Sequence, residues 1–307
     1  MPGMPVRPAF TLPRYGRRIN DREVGRMPMT ARARIGIAAA VVGAIAVGGA
    51  AVVMFGWMID ETRFDRPDPA FDALASEISA VPGVSDVQKQ RWVEAPAFLA
   101  TSSWVQVTAS ASAYPEVREI ACDTTYPDAV EWGFDLEGAG GTRVSAYADA
   151  GRGCPELGFD LEAVASEISR VAPGSVIQAA IWDAERFALS SLDGRASEVA
   201  AQLLPLVAHA DALREAAGVD PAMPVEVSGV RLGVEIGPGE GAGYHALVST
   251  LIDEHDVTFF SFGGGGTPID GVEKVQVTAP DSQRAAIERL IADSGLPVAA
   301  LPVAFLE

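Results

Sequence analysis

From residue 70 onward the chain alternates between two hydrophobic spacings. Stretches in which apolar and polar residues alternate read as strands; longer stretches with apolar residues three and four apart read as amphipathic helices. The middle of the chain gives a strand at 142–149, a helix at 159–171, strands at 176–182 and 186–192, a helix at 195–208 and a strand at 224–228. The last part gives a strand at Arg231–Ile236, a helix at Gly243–Glu254, and strands at Val257–Phe262 and Glu273–Thr278. Asp281 and Ser282 mark a helix start before Arg284–Ala292, and Val298–Leu306 closes as a strand. The first part has a helix at 70–80, strands near 86–92 and 102–109, a weak helix near 113–121 and a strand at 130–136. It lacks an opening strand, which the segment preceding it is expected to supply.

Internal echoes support this division. Ala-Ser-Glu-Ile-Ser occupies 75–79 and again 165–169, and Val-Gln-Val-Thr-Ala occupies 105–109 and again 275–279. Each part has the order strand, helix, strand, strand, helix, strand, which is that of the ferredoxin-like βαββαβ unit. The expected fold class is therefore α/β of the α+β type. It comprises one N-terminal transmembrane helix followed by three tandem ferredoxin-like pseudo-repeats with antiparallel sheets. Their boundaries are 70–136 (incomplete), 137–228 and 229–307, behind a linker at 60–69. Leu74 with Ile78, and Val164 with Ile168, are i, i+4 pairs expected to pack each copy's helix on its sheet.

The transmembrane expectation comes from Ile35 to Ile59, 25 residues without a charge. As a helix this run would be about 37 Å long, enough to cross a hydrocarbon core of about 30 Å. Residues 1–34 carry eight arginines against Asp21 and Glu23, a net +6, so the formal −18 of the chain leaves −24 on the remainder. This basic, proline-rich tail is expected to be disordered and cytoplasmic, beside anionic lipid. The positive-inside bias then places the domain after Ile59 outside the cell, giving a single-pass cell-membrane protein. Ala40, Ala44 and Gly48 form a small-residue stripe through which two spans could pair as a homodimer. A main body this acidic excludes nucleic acid as a partner.

Candidate chemistry is sparse. Cys122 and Cys154 are the only cysteines, and an even pair in an oxidising compartment is expected to form a structural disulfide. Gly237-Pro-Gly-Glu-Gly-Ala-Gly243 can be read as GxGxxA, but Glu240 would repel a phosphate, so a permissive turn is expected there and a flexible loop at Gly263–Gly266. Asp253-Glu254-His255-Asp256 sets acids against the helix macrodipole, an arrangement that sometimes marks a cation site. His209 and His245 stand alone, so no coordination shell is expected. Trp92, Trp104, Trp132 and Trp182 lie on or beside strands, where core placement is the ordinary expectation. With no GxSxG, HExxH, Walker or Ca²⁺-loop pattern, no catalytic residue, metal or cofactor is expected. The functional expectation is a non-enzymatic binding or scaffolding protein of the bacterial cell envelope, partnered by the lipid bilayer and an envelope protein or polymer. The alternative is an extracytoplasmic enzyme using the acids at Asp253–Asp256.

Overall fold

A hairpin followed by a helix is the step this chain repeats. The computed structural model describes residues 63–94, 101–183, 185–193, 199–263 and 272–306, all within one compact unit, Thr62–Glu307. The strands are β1 (Arg63–Asp65), β2 (Val84–Glu94), β3 (Thr101–Ser110), β4 (Val130–Glu137), β5 (Arg143–Gly151) and β6 (Val176–Trp182). They continue as β7 (Arg186–Ser191), β8 (Val225–Ser228), β9 (Leu232–Ile236), β10 (Phe259–Phe262), β11 (Val275–Thr278) and β12 (Val303–Phe305). The described helices are α1 (Pro69–Ser79), α2 (Tyr114–Asp123), α3 (Leu161–Val171), α4 (Val199–Ala208), α5 (Ala210–Ala217), α6 (Gly241–His255) and α7 (Arg284–Ala292).

All twelve strands join one mixed sheet in chain order. From β2 onward antiparallel hairpins alternate with parallel neighbours: β4–β5 is antiparallel, β5–β6 parallel, β6–β7 antiparallel and β7–β8 parallel. This overturns the expected three ferredoxin-like repeats with antiparallel sheets. The order of elements, βαββαβ three times, is present. The pairing is not, because a ferredoxin-like unit interleaves its strands, whereas here each strand lies beside its neighbours in sequence. Alternating hydrophobicity fixes which face of a strand is buried but says nothing of which strand lies alongside. The missing opening strand is β1, paired antiparallel with β2. The expected closing strand shortens to Val303–Phe305, with Pro297–Ala300 forming a 3-10 turn before it.

The expected transmembrane helix at 35–59 and the tail at 1–34 lie outside the described residues. Among the described residues no helix is long and apolar enough to cross a membrane. The single-pass anchor, and the cell-membrane and extracytoplasmic placement drawn from it, therefore have no support in the structure.

The helices form one layer: α1 meets α2, α3 meets α5, α4 meets α6 and α6 meets α7. Beneath them run the apolar rows of the strands, including Val105, Val107, Trp132, Phe134, Leu189 and Val234, each 2% exposed or less. Leu74, Ile78, Val164 and Ile168 are buried against this surface. The two copies of the helix echo even start alike. Asp68 accepts from the backbone N–H of Ala70 (2.8 Å) and Phe71 (3.1 Å), and Asp160 accepts from Ala163 (3.0 Å), each satisfying orphan donors of the first turn. They also end alike, with Gly83 and Gly174 at φ 98° and 82°, a region that other residues enter only under strain. Cys122 in α2 is disulfide-bonded to Cys154 in the segment after β5.

Candidate functional site

The face of the sheet turned away from the helices carries the site. In a pleated strand successive side chains point to opposite faces, so the buried apolar rows fix which residues face outward. Across the strands the registered neighbours run Asp86, Thr108, Asp135, Ser145, Gln178, Ser190, Ser228, Gly233, Ser261, Gln276, from β2 to β11. Ten strands at about 4.8 Å spacing make this row about 43 Å long. Every member is small or polar. The Ser145 hydroxyl donates to Asp135 Oδ1, and the hydroxyls of Ser190 and Ser228 are 2.9 Å apart.

Aromatic side chains flank the row. Tyr147 is 50% exposed; Trp104 and Trp182 are half-buried on the same face. Only Trp132 of the four strand tryptophans is core, so the expectation of core placement holds for one and fails for Trp92, Trp104 and Trp182. Gly133 lies opposite both Gln106 and Tyr147. A Cβ at 133 would overlap the Gln106 carboxamide, so glycine lets that side chain lie flat across the strand. Gln106 is 8% exposed, and its Nε2 is buried without a hydrogen-bond partner. Burial and the nearby Asp135 charge raise the Tyr147 phenol above its ordinary range.

A cavity of about 250 Å³ opens on this face between Trp182 and Phe259, over Glu226, Ser228, Gly233 and Ser261. Arg186 lies beside it, its guanidinium carbon 5.6 Å from the Trp182 ring centre. Arg186 Nε is 3.0 Å from Glu226 Oε2, an ion pair. The angle lies outside hydrogen-bond geometry, so both atoms remain buried without a hydrogen bond. Glu226 also stands directly opposite Glu235 in the sheet. Burial pushes the Glu226 carboxyl above the ordinary carboxylate range and the Glu235 charge adds to this, while Arg186 and Ser228 oppose it. The pair forms a buried charged wall beside the cavity, each group facing the other.

A larger cavity, about 670 Å³, lies between α1 and α2, lined by Glu77, Glu116, Glu119 and Asp123 over Leu74 and Tyr126. No buried polar atom lacking a partner points into it among the described residues.

The sequence-derived candidates fall elsewhere. In the glycine-rich turn, Gly237 N–H donates to Glu240 Oε2 (2.9 Å) and Gly239 N–H to the Asp211 carboxylate (3.1 and 3.2 Å). The protein's own acids thus occupy the donors a pyrophosphate would need. Gly264–Gly266 lie outside the described residues. Asp253, Glu254 and Asp256 are exposed at the end of α6, where Asp256 takes a left-handed conformation as the C-cap. His255 Nδ1 lies 2.9 Å from Gln283 Oε1. Among the described residues no group of three or more His, Cys, Asp or Glu is placed to hold a metal. The open face was missed because its members are individually ordinary. Its signal was the outward phase of Ser, Thr and Gln in successive strands. Neither a family model, nor a curated protein, nor a solved structure matches the chain.

Proposed function

We propose that this protein is a non-catalytic binding module that lays a neutral polysaccharide across the open face of its sheet. The observation that carries the reading is the unbroken row from Asp86 to Gln276, flanked by Trp104, Tyr147 and Trp182. Sugars present hydroxyls around a ring whose C–H faces are apolar. Hydroxyl, carboxamide and carboxylate side chains beside part-exposed aromatic rings match both features. Charge narrows the class further. The outward positions of these strands carry Asp86, Glu131, Asp135, Glu137, Asp149, Glu226 and Glu235 against Arg143 and Arg186, which disfavours anionic polymers. The row holds no large aliphatic side chain, which disfavours a lipid or an apolar protein surface.

Affinity electrophoresis tests this with gels containing β-1,4-glucan, β-1,3-glucan, mannan or xylan, and dextran sulfate as the polyanion. Retardation by at least one neutral polysaccharide, reduced in Tyr147→Ala, is expected. Retardation by dextran sulfate alone, or by none of these, would overturn the reading.

A further inference from the structure

We propose that the cavity between the start of α2 and residues 155–162 binds a zwitterionic α-amino acid with an apolar side chain. It lies on the helix side of the sheet, so the inference does not depend on the polysaccharide reading above.

Tyr114, the first residue of α2, anchors the site. Its ring packs edge-on against Phe134 with 5.2 Å between centres, and the residue is 7% exposed. The hydroxyl makes no hydrogen bond among the described residues. Unlike the sealed hydroxyl of Tyr244, it is not closed off from solvent. It opens on a cavity of about 550 Å³ that Tyr114 lines together with Arg118, Asp160 and Glu162, and these are the three charges that act on the phenol. Burial is the main cause that pushes it up to about 12. At neutral pH it is therefore an uncharged group that can both donate and accept.

Charge then selects the ligand. Arg118 belongs to the α2 wall, and Asp160 and Glu162 to the facing wall. Among the described residues the side chains of Arg118 and Glu162 make no ion pair or hydrogen bond. Asp160 gives one carboxylate oxygen to the Ala163 N–H at 3.0 Å and keeps the other. Both signs are thus present and neither is paired with the other. A simple cation would meet Arg118, and a simple anion would meet two carboxylates. A zwitterion answers both, with its carboxylate on the Arg118 guanidinium, its ammonium toward Asp160 and Glu162, and the Tyr114 hydroxyl between them. Leu157 and Phe159, half-buried in the facing wall, offer apolar contact to the ligand's side chain. The volume falls within the roughly 300–1,000 Å³ of pockets that enclose small ligands. The Cys122–Cys154 disulfide ties the two walls together: Cys122 follows Arg118 by one turn of α2, and Cys154 directly precedes residues 155–162.

Isothermal titration calorimetry of L-phenylalanine and L-leucine into the full chain tests this. Binding of at least one is expected. Its deamino and decarboxy analogues, each lacking one charge, should bind about tenfold more weakly or worse, as the loss of a hydrogen bond to a charged group predicts. Tyr114→Phe keeps the ring on Phe134 and removes only the hydroxyl, and Arg118→Gln changes an exposed helix position. Each should weaken binding to a similar degree while melting as the parent does. Ser76→Ala, in α1, should leave binding unchanged. No binding of either amino acid, equal affinity for an analogue lacking one charge, or unaltered affinity in either folded variant would overturn the site. Retention on neutral polysaccharides tests the sheet face separately.

Discussion

Arg214 is the buried cation on which the crossover from β7 to β8 depends, and replacing it gives a quantitative test of the fold. It is 4% exposed in α5. Its Nε donates to the Met223 carbonyl at 2.6 Å, its Nη2 to the Ile236 carbonyl at 3.0 Å, and its Nη1 to the Asp211 carboxylate. One side chain therefore joins the helix layer, the chain entering β8 and the end of β9. Arg214→Met keeps most of the apolar stem and removes the guanidinium. Two charge-assisted hydrogen bonds are lost and two carbonyls are left without their donor, for an expected loss of about 3–5 kcal/mol. Asp211 adds little, being half exposed and still bonded to Gly239 N–H. For a unit spanning Thr62–Glu307, that loss corresponds to a fall in Tm of about 6–10 °C. Arg214→Lys should lose much of the same stability, because an ammonium cannot fork between two carbonyls. Thermal unfolding followed by circular dichroism measures both. A Met variant melting within about 2 °C of the parent would refute the clamp and the topology it holds together.

Three further outcomes follow from single contacts. Ile168→Ala, at a fully buried position in α3, should lose about 2–5 kcal/mol, while Ser76→Ala, exposed and bonded only to the Asp72 carbonyl, should stay within about 0.5 kcal/mol; equal melting temperatures for the two would contradict the packing. Reduction of Cys122–Cys154, which lie 32 residues apart, should cost roughly 3–4 kcal/mol by loop-closure entropy, and non-reducing peptide mapping should recover the linked pair rather than two alkylated thiols. Glu226 has a raised carboxyl in the folded state, so the folded protein holds more protons than the unfolded chain between the two pKa values, and stability falls as pH rises across that window. Glu226→Gln removes this slope: its Tm should match the parent below the ordinary carboxylate range and exceed it toward neutral pH, and a variant less stable at neutral pH would contradict the raised carboxyl.

Much of the secondary structure was legible because phase and punctuation are local. The strand at 176–182 and the helix at 284–292 coincide with β6 and α7. The helix echo reflects a shared cap and a shared glycine turn. Short elements were harder: β1 and β12 have three residues each, too few for alternation to stand out. The tryptophans were separable in principle. Trp104 is in phase with Gln106 and Thr108, whereas Trp132 is in phase with Phe134 and Leu136. Taking all four as core ignored that phase. The cavity could not have been read from the chain, since Trp182, Glu226 and Phe259 meet only through strand registers set by tertiary pairing.

Strand order was illegible for a stronger reason, and that reason explains the open face. Each hairpin reverses the chain, so successive crossovers leave from strands of opposite direction while advancing the same way along the sheet. All their helices nevertheless lie in one layer, which requires the crossovers to alternate in hand. The usual preference is strongly right-handed, and interleaving the strands as in a ferredoxin-like unit satisfies it. Reasoning from that preference therefore leads to three separate four-stranded sheets. Such sheets would divide the outward Ser, Thr and Gln residues among three short surfaces. Keeping the strands in chain order joins them into one row from β2 to β11, with the helices stacked on the other side. The repeated helix-and-hairpin step thus accounts for both the departure from the expected topology and the length of the surface to which binding is assigned.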